Sequence, residues 1–153
     1  HLIGVAEIHY WHGYDRLIKG LANYYTTRPQ YKVYFHIVGK FTAKREYEAC
    51  IPIIKENQLD PYIILHGPLY GEALNSLFEQ CDMGVGSLGR HRSGITNIKT
   101  LKNREYAARG IPFIYSEIDE DFEDMPYILK IPANEDAVDV QQIIITQIQL
   151  LQK

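Results

Sequence analysis

Residues 101–116 read LKNREYAARGIPFIYS, and this stretch decides the fold. Leu101–Arg109 is rich in Leu, Lys, Arg, Glu and Ala, the residues that form helices best. Gly110 then stands where a helix ends in left-handed geometry, and Pro112–Ser116 is a short run of strand formers. Helix, glycine stop and buried strand make the second half of a βαβ unit. The same stretch raises a smaller question. Lys102 and Glu105 lie one turn apart just before the chain enters the core. A surface ion pair and a ligand contact are both open at this point.

The alternation continues outward. LIGVA (2–6), VYFHIVG (33–39), YIILHG (62–67), MGVGSL (83–88) and YILKIPA (127–133) read as strands, apolar enough to be buried on both faces. Between them, GYDRLIKGLANYY (13–25) puts Tyr14, Leu17, Ile18, Leu21, Ala22 and Tyr25 on one helical stripe. AKREYEACIPIIKENQ (43–58) has helical period, with Pro52 expected to kink or divide it. GEALNSLFEQC (71–81) stripes Leu74, Leu77, Phe78 and Cys81. AVDVQQIIITQIQLLQ (137–152) is a closing helix, with Asn134 expected as its N-cap and Asp136 in its first turn. No repeat, low-complexity tract or linker divides the chain. The expectation is a single α/β domain over residues 1–153: a doubly wound, Rossmann-like parallel sheet with helices on both faces.

The 153 residues are 46% hydrophobic and 23% charged, which suits one domain with a sizeable core. No apolar run approaches the ~20 residues that span a bilayer, and none of the 153 residues is expected to act as a signal peptide. The chain opens at His1 directly before the first strand, so it is expected to be part of a longer protein. Cys50 and Cys81 match no metal spacing and read as reduced core thiols, in keeping with a cytoplasmic location. The net charge of −3 argues against nucleic acid as a partner. Its distribution is uneven. Residues 90–109 carry Arg90, Arg92, Lys99, Lys102, Arg104 and Arg109 against Glu105 alone, and residues 117–124 carry six acids and no base. Either the basic segment forms a discrete anion site or the two segments neutralise each other.

In an open α/β sheet, ligands bind beyond the carboxyl ends of the strands. The loop after the fourth strand, GSLGRHRSGITNIKT, is the longest. Its Gly86, Gly89 and Gly94 would let backbone N–H groups approach an oxyanion. The loop after the first strand, AEIHYWHG, lacks G-x-G-x-x-G, and neither a P-loop nor G-x-S-x-G occurs. His9 and His12 have no third ligand at metal spacing. Tyr10 and Trp11 are open between stacking on a sugar, facing another domain, and burial beneath the first helix.

Four blocks in order, LIGVAEIHYWHGYDRLIKGL, VYFHIVGK, IILHGPLYGEALNSLFEQCDMGVGSL and LKNREYAARGIPFI, resemble the C-terminal domain of GT-B glycosyltransferases of the group-1 type. The resemblance spans residues 2 to about 133 and is most specific from Leu101 to Pro112. It implies a domain that binds a nucleoside-diphosphate sugar, with no cofactor and no metal. It implies an acceptor domain preceding His1, a glycan or lipid-linked acceptor, and peripheral association of the parent with the inner membrane face. The parent would be a hexosyltransferase of polysaccharide biosynthesis, and the isolated domain inactive.

The resemblance assigns Glu105 to the ribose hydroxyls and the region His66–Tyr70, with Pro68 and Leu69, to the base. It gives the diphosphate to His12 and Gly13 at the start of the first helix, to Lys102, and to Ser87, Leu88, Gly89 and Gly94 of the long loop. Ser93 and Asn97 would lie near the sugar, and Gly39 and Lys40 complete the donor set. The catalytic candidates are Asn97, Lys102 and Arg92. Two departures stand out. Asn97 occupies the place of the family's second glutamate, and Glu7 and His12 stand where it has a basic clamp. A nucleotide-sugar epimerase half and a degenerate, non-catalytic binding domain are the alternatives.

Overall fold

The computed structural model describes residues 1–152. Six parallel strands form one sheet: β1 Leu2–Val5, β2 Phe35–Val38, β3 Ile63–Gly67, β4 Met83–Val85, β5 Phe113–Tyr115 and β6 Ile128–Lys130. Their order is β3-β2-β1-β4-β5-β6, the doubly wound arrangement. The helices are α1 Tyr14–Thr26, α2 Lys44–Glu56, α3 Gly71–Gln80, α4 Leu101–Ala108 and α5 Val140–Leu151. The chain winds outward in both directions from β1 and β4, so the crevice at their carboxyl ends is the topological switch.

Strand alternation builds two cores. Phe35, Ile37, Val85 and Ile114 face α1, α2 and α5 through Leu17, Ile18, Leu21, Ile54 and Ile143. Ile3, Val38, Phe113 and Tyr115 face α3 and α4 through Leu77, Phe78 and Tyr106. Both cysteines are free and buried. Gly84 leaves room for Tyr106, since a Cβ there would lie 2.6 Å from its ring.

Some expectations are corrected. α2 is not divided at Pro52, which lies inside the helix and faces solvent, where the carbonyl it leaves unbonded can turn to water. Tyr24 is buried beside the expected α1 stripe, whose Ala22 and Tyr25 pack half-buried against the same core. α5 starts at Val140 with Asp139 as N-cap, its carboxylate accepting from Gln142 N at 3.3 Å. Asn134 is drawn elsewhere: its Oδ1 accepts from Asp136 N and from the guanidinium of Arg16. Arg16 is buried and also donates to the carbonyls of Leu88, Pro132 and Asp136, tying the β4 loop to the segment before α5.

Candidate functional site

The loops after β1 and β4 each contain a short 3-10 turn, Tyr10–His12 and Arg90–Ser93. They are zipped together: Leu88 N donates to His12 O at 2.9 Å and Gly89 N to Trp11 O at 3.0 Å. Gly13 makes this approach possible. Its φ is +63°, and a Cβ there would lie 2.7 Å from the Leu88 carbonyl carbon. The amides of Leu88 and Gly89 are therefore taken, as is that of Gly94, which donates to His91 O. The expectation that they would cradle an oxyanion gives way to side chains.

The basic and acidic segments neutralise each other only in part, and other acids take further cations. Arg104 binds Asp119 and Asp121, Lys99 binds Asp121, and Arg109 binds Glu105. Arg92 spans Asp15 and Glu135 and also donates to Tyr10 O, which makes it a strut of the loop. Of the six cations in residues 90–109, Arg90 and Lys102 are left without a carboxylate partner among the described residues. Lys102 Nζ donates to Val5 O at 2.6 Å, at the carboxyl end of β1. Burial and the neighbouring Arg90 push Lys102 down to about 8, against Glu105 and Glu117. Arg90 lies 5.7 Å from the Trp11 ring centroid, and its Nε is buried and unbonded.

His12 joins these two cations. It is 6% exposed, and its Nδ1 accepts from His9 N at 2.9 Å, which places the proton on Nε2 as a donor. Burial, then Lys102 and Arg90, push its pKa down to about 3, so it stays neutral. Two cations without a carboxylate at ion-pair distance and a neutral N–H donor thus converge at the switch point, within the field of Glu117. Beneath them, Glu117 is buried. Asn103 Nδ2 donates to its Oε2 at 2.9 Å, and its Oε1 has no partner. Burial raises its pKa, while Asn103 and Arg90 oppose the rise.

Next to Val5 a cavity of about 320 Å³ opens between the loops after β1, β2 and β3. Gly39, Lys40, Pro68 and Leu69, all expected at the donor site, line it together with Glu7 and the strongly exposed Tyr70. Gly39 has φ +117°, and any Cβ there would overlap the Ala6 carbonyl. Ser87 is fully buried with its hydroxyl unbonded, and Ser93 donates to Tyr10 Oη at 3.1 Å. Asn97 is exposed on a backbone bridge to Ile118. Glu105 is exposed on α4 and shares one oxygen with Arg109, not with Lys102.

Glu117 and Asn103 were missed as site residues, because in sequence Glu117 is one of six neighbouring acids. What separates it from the equally buried Asp119 is pairing: Asp119 is held by Arg104, whereas one oxygen of Glu117 has no partner.

No family model and no curated protein matches the chain. Solved structures do. A glycosyltransferase from Rickettsia africae ESF-5 superposes with a TM-score of 0.68 at 16% identity, over 98% of this chain and 38% of that one. Anabaena Alr3699/HepE in complex with UDP gives 0.69 at 17% identity, over 99% and 39%. The chain therefore spans about two-fifths of the length of these structures. The likeness is one of fold: a GT-B-like, Rossmann-type domain. Among the described residues, no helix is long and apolar enough to cross a membrane.

Proposed function

We propose that the chain is the nucleotide-sugar-binding domain of a glycosyltransferase of the group-1, GT-B type. The observation that carries this reading is the pair of cations without an ion-pair partner, Arg90 and Lys102, beside the neutral donor His12 at the switch point. A diphosphate supplies the missing counter-charge, and charge-assisted bonds of this kind contribute about 1.5–3 kcal/mol each. The cavity beside Val5 takes the base, with Pro68 and Leu69 as apolar walls and Gly39 and Lys40 on its rim. Glu105, an acceptor only, takes the ribose hydroxyls through its free oxygen. Gly13 holds the His12 turn in place, and Ser87, Leu88, Gly89 and Gly94 shape the loop around the diphosphate.

In the transfer itself, Lys102 and Arg90 stabilise the charge that develops on the leaving diphosphate. Ser93 and Asn97 flank the sugar. Arg92 acts through the loop it braces. The whole protein would bring an acceptor domain and a glycan or lipid-linked acceptor to this crevice, at the inner face of the membrane. The fold likeness to a glycosyltransferase and to a UDP complex supports this reading.

Calorimetric titration with UDP, GDP and ADP and their sugars tests it. Saturable binding of one of them, weakened in Glu105→Ala, is expected. Heats that never saturate for any nucleotide would rule the reading out. A binding domain without catalysis is the second reading, favoured by the uncharged, exposed Asn97. It gives the same titration but no donor turnover in the full-length parent.

A further inference from the structure

On the α1–α2 side of the β1 loop lies a second cavity, of about 500 Å³. This is within the ~300–1,000 Å³ of small-molecule sites. It is walled by Tyr10, Asp15, Glu46, Ala49, Arg92 and Glu135, among others. Arg92 satisfies Asp15 and Glu135. Glu46 differs. It is 94% buried by its 6% residual exposure, it lines the cavity, and no hydrogen bond or ion pair reaches it among the described residues. Its carboxylate oxygens open to the cavity and receive no donor from the protein, so a ligand hydroxyl facing them can supply one. Arg45, its neighbour in α2, also lacks a carboxylate partner and lies 4.8 Å from the centroid of the Tyr10 ring. That ring is fixed by the bond from Ser93. The wall therefore presents one unused acceptor, one unused cationic donor and an aromatic face.

Charge selects the class of ligand. With Arg92 paired to Asp15 and Glu135, a cation would meet Glu46 but be opposed by Arg45, and an anion would meet Arg45 but be opposed by Glu46. A neutral polyol escapes both penalties, because each hydroxyl can donate or accept. We propose that this cavity is a saccharide site, in which a neutral sugar donates hydroxyls to Glu46, accepts from Arg45 and lays its C–H face on Tyr10. The site does not depend on the nucleotide reading, since neither Lys102 nor Arg90 lines it.

The test is amide NMR of the labelled chain, titrated with the methyl glycosides of glucose, galactose, mannose and N-acetylglucosamine, each with and without excess UDP. Saturable shifts at residues 9–10, 45–50 and 91–92 are expected for at least one glycoside, with a Kd of about 1–10 mM. Glu46→Gln removes the charged acceptor and Ala49→Trp fills the space. Each should weaken binding by about tenfold or more. If Ala49→Trp does not fold, judged from its amide dispersion, Glu46→Gln decides. Shifts at these residues for no glycoside, or shifts unchanged in a folded variant, would overturn the proposal. Glycoside shifts that persist in excess UDP also support it, and leave the nucleotide reading to the calorimetric titration with UDP, GDP and ADP.

Discussion

At Lys102 an ammonium is held by a single backbone carbonyl, and its pKa of about 8 lies within reach of ordinary buffers. Only its protonated form attracts a diphosphate. Nucleoside-diphosphate affinity should therefore be flat below pH 8 and fall as the pH rises through it. Lys102→Met should bind at least about tenfold more weakly and lose this alkaline dependence, which calorimetry at pH 7 and 9 would show. His12 makes a prediction of opposite range. Its folded pKa of about 3 lies below the ordinary 6.5, so between these values the unfolded chain binds a proton that the native chain does not. Stability then falls as the pH drops through that window. From pH 7 to 5 His12 alone should cost about 2 kcal/mol. Urea unfolding of His12→Gln at both pH values should show a drop smaller by about that amount.

At the scale of elements, α4 is anchored by its buried polar face. Asn103 is fully buried and its Nδ2 donates to Glu117 and Asp119, while Arg104 grips Asp119 from outside. Asn103→Ala strips a donor from two carboxylates at once and should destabilise the chain by about 2–3 kcal/mol. Asn97→Ala, exposed on the preceding loop, should change stability by no more than about 0.5 kcal/mol. Chemical denaturation of the two variants separates anchoring from surface. Local signals made much of this element legible. Gly110 stops α4 at φ +73° as its position implied. The start of α5 was not legible, because Asn134 and Asp139 are equally good caps in sequence, and the first is taken by Asp136 N and the distant Arg16.

For the whole molecule, apolar runs and helical stripes sufficed for the doubly wound sheet, since burial on both faces leaves strands no polar alternation. Glycine-rich loops likewise pointed to the carboxyl edge, and Gly39, Lys40, Pro68 and Leu69 do meet in one cavity there. Which cations remain free could not be read in advance. That depends on which acids fold back onto them, and Arg92 is claimed by Asp15 and Glu135 from two other segments. The docking of the β1 and β4 loops is similarly a long-range event, and it consumes the amides of Leu88 and Gly89.

The central claim is that Arg90 and Lys102 form a diphosphate site at the switch point. Calorimetric titration of UDP, GDP and ADP into the chain, Arg90→Met and Lys102→Met tests it most directly. The expected result is saturable binding of at least one nucleotide, weakened about tenfold or more in each variant. Saturable binding left unchanged by both substitutions, or no saturable binding at all, would contradict it.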